Sequence, residues 1–305
     1  MDKLPVLLQQ VMQGDRKALA RAITLVENDQ EGYQEFLFAI PRENTVPVVG
    51  ITGPPGAGKS TLINAVIRKL SAEGKDIAVV AVDPTSPFNY GSLLGDRLRM
   101  AEHFTNPSVF IRSLATRGSL GGLSEKIIEI VDVIRAAKFD MIIVETVGVG
   151  QSEVEIAGLA DTTVVVVVPE SGDEVQTLKS GIMEIADVFV VNKSDREGAD
   201  QLQQNLRKLM SHPKNGNWNV PVIKCSATKN EGVEEIISKI REHQQSGSFS
   251  EKQAFLLTEK AYRLIQQKRM KAIHKKDLNE ALAKAAPKPD FNLYRFADQF
   301  NKEKL

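Results

Sequence analysis

The stretch VPVVGITGPPGAGKST, residues 46–61, carries glycines at the spacing G-x-x-x-x-G-K-S, from Gly53 through Gly58 to Lys59 and Ser60. The apolar run "VPVVGI" before it reads as a buried strand, and Ile63, Val66, Ile67 and Leu70 recur after it at helical spacing. A glycine loop between a strand and a helix N-terminus is a phosphate cradle, because free backbone N–H groups and the positive end of the helix dipole face an anion there. Gly56 and Gly58 let the backbone curl close to the ligand, Lys59 can reach the β and γ phosphates, and the Ser60 hydroxyl is placed to ligate Mg²⁺. Gly53, Pro54, Pro55, Gly56, Ala57, Gly58, Lys59, Ser60 and Thr61 are therefore the expected nucleotide cradle. A glycine-rich turn with a chance GKS is the bland alternative, and the strand, helix, lysine and serine together weigh against it.

Further along, "DIAVVAVD", "FDMIIVE", "TTVVVVVP" and "DVFVVNK" are near-continuous apolar runs separated by helical patterns. Such runs suit a parallel sheet covered on both faces. The expected fold class is α/β: a P-loop NTPase with a mostly parallel sheet covered by helices on both faces, plus N-terminal helices and a C-terminal helical extension. Residues 1–42 read as an N-terminal helical segment interrupted at Gly14–Asp15, residues 43–247 as the nucleotide domain, and residues 248–305 as a C-terminal helical or dimerisation segment. In the last of these, one long charged helical pattern runs from Ser248 to about Ala286, and "APKPDFNLYRF" then breaks it. Ligand belongs at the carboxyl ends of the strands, and the nucleotide motifs of this chain all fall at such ends.

The base is read at "VFVVNKSD", residues 188–195, where Asn192, Lys193 and Asp195 complete an N-K-x-D pattern at a strand end. A carboxylate such as Asp195 can accept from the N1–H and 2-amino groups of guanine. Adenine has no donor at either position, so discrimination should be large. Ser226 and Ala227 in "CSATKNEG" resemble the loop whose backbone closes over the guanine oxygen. Within "FDMIIVETVGVGQSEVE", Glu145 stands where a Mg²⁺-associated carboxylate is expected, and Gly148 could present its N–H to the γ phosphate. Gln151 is two residues further from that glycine than the water-orienting glutamine of Ras-like proteins, so it is not expected to orient water unaided. Asp83 ends a strand and Asp96 stands in a glycine-flanked segment; a turn residue and a helix cap are as consistent with them as roles beside Mg²⁺.

Composition limits the remaining classes. The 305 residues carry 39 basic and 39 acidic side chains, and no basic run interleaved with aromatics occurs, so a nucleic-acid partner is not expected. No apolar segment of spanning length and no signal peptide pattern is present, so the expectation is a cytoplasmic protein that does not engage a membrane. Cys225 is the lone cysteine, which excludes an internal disulfide or a cysteine zinc cluster.

Taken in order, "GPPGAGKST", "AVDPTSP", "GDRLRM", "RGSLGGL", "VETVGVGQSE", "GDEVQTLKSG" and "VNKSD" resemble the MeaB and ArgK family of P-loop GTPases, G-protein chaperones of adenosylcobalamin-dependent acyl-CoA mutases. The resemblance covers nearly the whole chain. It implies binding of GTP and GDP, Mg²⁺-dependent hydrolysis of GTP, a homodimer built with help from the C-terminal segment, and delivery or protection of cobalamin in a partner mutase. It places Lys59 and Ser60 on phosphate and metal, Asp83, Asp96 and Glu145 around Mg²⁺ and the attacking water, and Asn192 and Asp195 on guanine. The family's third switch corresponds to "GDEVQTLKSG", with Asp173, Gln176 and a candidate catalytic Lys179. The alternatives are a small-molecule kinase or transport-associated ATPase, a metal-insertion GTPase and a signal-recognition GTPase. The last two want a Cys/His cluster or a methionine-rich domain, whereas His103, His212, His243 and His274 are far apart and the Met residues are scattered.

Overall fold

The computed structural model describes residues 3–41, 46–83, 100–115, 126–146, 156–171, 182–210, 218–246, 248–270, 273–288 and 290–304. Its centre is a seven-stranded sheet: β1 (Val48–Thr52), β2 (Ile77–Asp83), β3 (Val109–Ala115), β4 (Met141–Glu145), β5 (Thr162–Val167), β6 (Val188–Val191) and β7 (Val222–Lys224). The spatial order is β3-β2-β4-β1-β5-β6-β7, and every pairing is parallel. Five of these strands coincide with the apolar runs named above, and β7 with the short strand-like VPVIK at residues 220–224. The other, β3, is an edge strand whose first five residues are only half-buried, and Arg112 and Ser113 interrupt its apolar character.

Helices cover both faces, as parallel crossovers require. In chain order they are α1 (Lys3–Met12), α2 (Arg16–Glu27), α3 (Tyr33–Phe38), α4 (Lys59–Ala72), α5 (Ile127–Arg135), the short α6 (Ile182–Ile185), α7 (Ala199–Leu209) and α8 (Val233–Gln245). Alternation along the strands sorts their side chains between the two faces. Val48, Ala78, Val80, Val82, Ile142 and Val144 share one cluster with α1, α2, α3 and α5. Val49, Ile51, Ile77, Val79, Ile143, Val164, Val166, Val188 and Val190 share the other with α4 and α8. On the first face, Val165, Val167, Phe189 and Val191 pack instead against α7. The N-terminal helices thus close one face of the nucleotide-fold sheet, where Leu19, Ile23 and Phe36 are buried. Each such side chain contributes about 1.5–3 kcal/mol of transfer free energy.

Two local devices bring these layers together. Asp15, at the break between α1 and α2, caps α2 by accepting from Lys17 N (2.8 Å) and Ala18 N (3.0 Å). Gly50, in the middle of β1, admits the turn after residue 155: a Cβ there would lie 2.4 Å from Cγ1 of Ile156 and 2.9 Å from Cβ of Ala160. Away from the strand carboxyl ends, buried His243 bonds Thr162 Oγ1 through Nδ1 at 2.9 Å, and Trp218 Nε1 donates to Asp187 O at 2.8 Å. His243 Nε2 also lies 3.4 Å from Asp187 Oδ1, so α8 is tied to the first residue of β5 and to the residue that precedes β6.

The chain divides into two compact units, Met1–Leu256 and Leu257–Leu305. The expected single helix from Ser248 to about Ala286 is two helices, α9 (Ser248–Met270) and α10 (Lys275–Ala285), followed by α11 (Leu293–Lys304). His274 is extended (φ −88°, ψ 133°), which ends one helical path and starts another. Leu257, Leu264 and Ile265 on α9 are exposed.

Candidate active site

β1 lies between β4 and β5, so the chain crosses it when passing from β4 to β5. That crossing makes the β1 carboxyl end the topological switch point, the place where an open α/β sheet leaves a crevice. Ile51 stands opposite both Glu145 and Val164 in register. One step further, the buried hydroxyls of Thr52 and Thr146 are 2.9 Å apart and hold the two strand ends together.

From β1 the loop turns into α4 through two glycines that no other residue can replace without displacement. Gly53 has φ +138°, and a Cβ on it would lie 2.0 Å from Val166 O of β5. Gly58 has φ +85°, and its Cβ would lie 2.4 Å from Nδ2 of Asn192. Lys59 folds back over the loop and donates from Nζ to Gly53 O at 2.8 Å and Pro54 O at 3.1 Å. Ser60, the next residue on α4, donates from Oγ to Glu145 Oε1 at 2.7 Å, and both residues are buried. A hydroxyl and a carboxylate converge here from two elements 85 residues apart in sequence. Hard oxygen donors of this kind suit Mg²⁺.

Asp83 ends β2 opposite Ala115, two residues beyond the Ala81–Glu145 register. Its backbone therefore lies at the same carboxyl end of the sheet as Glu145. Asp96, Gly148, Gln151, Asp173, Gln176 and Lys179 lie outside the described residues.

The N-K-x-D turn is built into the same crevice. Asn192 N donates to Val167 O at 2.8 Å, fixing the turn to the end of β5. The side chain of Asn192 then spans two loops: Nδ2 donates to Ala57 O at 2.8 Å, and Oδ1 accepts from Ala227 N at 3.3 Å. Asn192 is a brace between the phosphate loop and the turn after β7, a role its motif position alone does not reveal. Lys193 takes the left-handed conformation, φ +55°, costly for a side chain of its kind. Ser194 N, donating to Cys225 O at 3.0 Å, secures the next residue. Asp195 is exposed, with Oδ2 3.3 Å from Lys229 Nζ. Its own backbone N–H, then Lys229, hold its carboxyl below the usual carboxylate range. Ser226 closes the far side by pairing with Glu231 in a short antiparallel bridge.

The phosphate loop, Ser60–Glu145, Asn192, Asp195 and Ser226–Ala227 are thus assembled at one end of one sheet. Residues 19–285 match the family described as methylmalonyl Co-A mutase-associated GTPase MeaB. The chain belongs to the MeaB family. A relative from Pyrococcus abyssi is 45% identical, over 97% of this chain and 95% of its own. The methylmalonic aciduria type A homolog of Caenorhabditis elegans, a mitochondrial protein, is 37% identical over 77% of this chain and 64% of that one. Among solved structures, a LAO/AO transport system kinase superposes with a TM-score of 0.72 at 28% identity, covering 99% of this chain and 97% of that one. Like its family, this MeaB protein is a GTPase that hydrolyses GTP in a P-loop fold. Among the described residues, no helix is long and apolar enough to cross a membrane.

Two features of the site were not legible in its motifs. Thr52 and Thr146 flank the strand ends as ordinary polar residues, and Lys229 is two residues past Ala227, with nothing in its spacing to single it out.

Proposed function

We propose that this MeaB-family GTPase couples GTP binding and hydrolysis to the loading or protection of the cofactor of an adenosylcobalamin-dependent acyl-CoA mutase, methylmalonyl-CoA mutase or a relative. The observation that carries this reading is the family match over residues 19–285. The likeness to the methylmalonic aciduria type A homolog supports it.

In this reading Lys59 neutralises charge on the β and γ phosphates, and the N–H groups from Gly56 to Thr61 cradle them. Ser60 and Glu145 hold Mg²⁺, with Asp83 and Asp96 beside it, and Gly148 meets the γ phosphate. Bound Mg²⁺ supplies charge neutralisation at the phosphates. Asp195 accepts from the guanine edge, Ser226 and Ala227 close over the guanine oxygen, and Asn192 keeps base and phosphate loops in register. Asp173, Gln176 and Lys179 belong to the segment 172–181 that responds to the partner.

The chain acts as a homodimer in this reading. Leu257, Ala261, Leu264 and Ile265 fall at the i, i+4, i+7, i+8 positions of one face of α9, and all four are exposed. An apolar helix face of this kind is suited to a second copy.

The test is steady-state phosphate release by the purified protein, with and without a purified adenosylcobalamin mutase from the same source. Slow release alone and faster release with the mutase are expected, with Lys179→Ala lowering the stimulated rate. Absence of stimulation by any such mutase, together with no GTP-dependent co-elution, would sink the reading.

A further inference from the structure

The carboxylate assigned to base reading is an exposed side chain on a turn, and packing alone does not aim it. Asp195 is 41% exposed at its side chain. Accepting two hydrogen bonds from one edge of a purine requires both carboxylate oxygens to lie in the plane of the base. A carboxylate free to rotate loses that alignment and can swing away from an edge that offers no donor.

Lys229 supplies a fixed point, with the Ser226 side chain bearing more weakly on the same carboxyl. It ends a single helical turn, Ala227–Lys229, inside a closed loop: Lys229 N donates to Ser226 O at 2.9 Å, Ser226 N to Glu231 O at 3.1 Å, and Glu231 N to Ser226 O at 3.2 Å. Asn230 completes the closure in the left-handed conformation, φ +59°. The base of the Lys229 side chain is therefore held, and its ammonium lies 3.3 Å from Asp195 Oδ2. The neighbouring cation on the Asp195 loop, Arg196, is directed elsewhere, to Glu170. A carboxylate has about four lone-pair sites, so Oδ2 can keep the ammonium while both oxygens face a base.

We propose that Lys229 is a positioning residue for guanine selectivity, acting through Asp195 from outside the N-K-x-D motif. The inference rests on the reading of Asp195 as the base-reading group. The lowered carboxyl of Asp195, caused by its own backbone N–H and then by Lys229, agrees with this geometry. Its consequence is directional: without Lys229 the carboxyl rises toward its ordinary value, so base reading fails at a higher pH on acidification.

The experiment is calorimetric titration of the full chain with GDP and with ADP, in Mg²⁺, from neutral pH down into the carboxylate range. The variants are Lys229→Met, Lys229→Arg, Asp195→Asn and the Lys229→Met/Asp195→Asn double. Because the pair is solvent-exposed, Lys229→Met should weaken GDP binding about two- to fivefold. It should also lower the preference for GDP over ADP and move the acid limb of GDP binding to higher pH. Lys229→Arg should restore all three, and in the Asp195→Asn background Lys229→Met should add nothing. Wild-type GDP affinity and pH profile in Lys229→Met, or an equal loss in both backgrounds, overturns the proposal while leaving the role of Asp195 standing. Unchanged GDP affinity in Asp195→Asn overturns both.

Discussion

Lys59 shows how one side chain orders a loop and fixes a charge with the same atom. Its Nζ satisfies Gly53 O and Pro54 O, and in doing so holds a positive charge above the N-terminal turn of α4. A cation already ordered by the protein costs no rearrangement when phosphoryl charge develops, the condition under which electrostatic stabilisation is strongest. Lys59→Ala is expected to lower GTP turnover by about 10²–10³-fold, measured as phosphate release at saturating GTP. A rate like that of the wild type would place the chemistry elsewhere. Cys225 represents the opposite case at this scale. Burial, then the charge of Glu231, push its thiol up to about 12, so it stays protonated and inert beside the nucleotide loops.

At the level of elements, α4 beside the site and α2 at the opposite end of the sheet are each positioned by the residue that precedes their first turn. α4 follows Gly58, whose left-handed backbone starts the helix and whose lack of a Cβ leaves room for the Asn192 side chain. α2 begins at Asp15, whose carboxylate caps Lys17 N and Ala18 N. The N–H of Ala18 first, and that of Lys17 next, lower the Asp15 carboxyl below its ordinary value. Its folded pKa is thus below its unfolded one, so the stabilisation is fully present above the unfolded value and is lost as pH falls through the folded one. Asp15→Ala should therefore lower the melting temperature at about pH 7, with the gap to wild type closing as pH falls through and below the carboxylate range. Asp15→Asn should keep most of the cap and lose the pH dependence. Thermal melts across that range decide the matter, and a gap that stays constant with pH would refute the assignment.

For the whole molecule, the sheet divides its two faces between helices from distant parts of the chain. α1, α2 and α3 complete one face, while α4 and α8 fill the other. The second unit, Leu257–Leu305, carries exposed apolar side chains at Leu257, Tyr262, Leu264, Ile265, Met270, Leu293 and Tyr294. If a second copy covers the α9 face, a charge placed there should prevent it, because a buried unpaired carboxylate is strongly unfavourable. Sedimentation velocity of Ile265→Glu is expected to show monomer where wild type shows dimer, with GTP turnover per chain as the accompanying measurement. A dimer that persists unchanged in Ile265→Glu, or a monomeric wild type, would exclude this face.

The strand-loop-helix at residues 46–61, the apolar runs of five strands, the short VPVIK of β7 and the position of N-K-x-D were all readable along the chain. Each is a local property: a periodicity, a glycine spacing or a run of branched side chains. The edge strand β3 was not, because a strand half-exposed at a sheet edge needs no continuous apolar run and Arg112 breaks its pattern. Nor does any spacing announce that Ser60 meets Glu145, that Asn192 links Ala57 to Ala227, or that Lys229 meets Asp195. Those contacts join residues from different strand ends. Local pattern along the chain was thus enough for the strand–glycine loop–helix, the parallel α/β class and a guanine nucleotide. Which side chains brace one another around that loop depends on the strand order that folds distant carboxyl ends into one crevice, and no local pattern carries it.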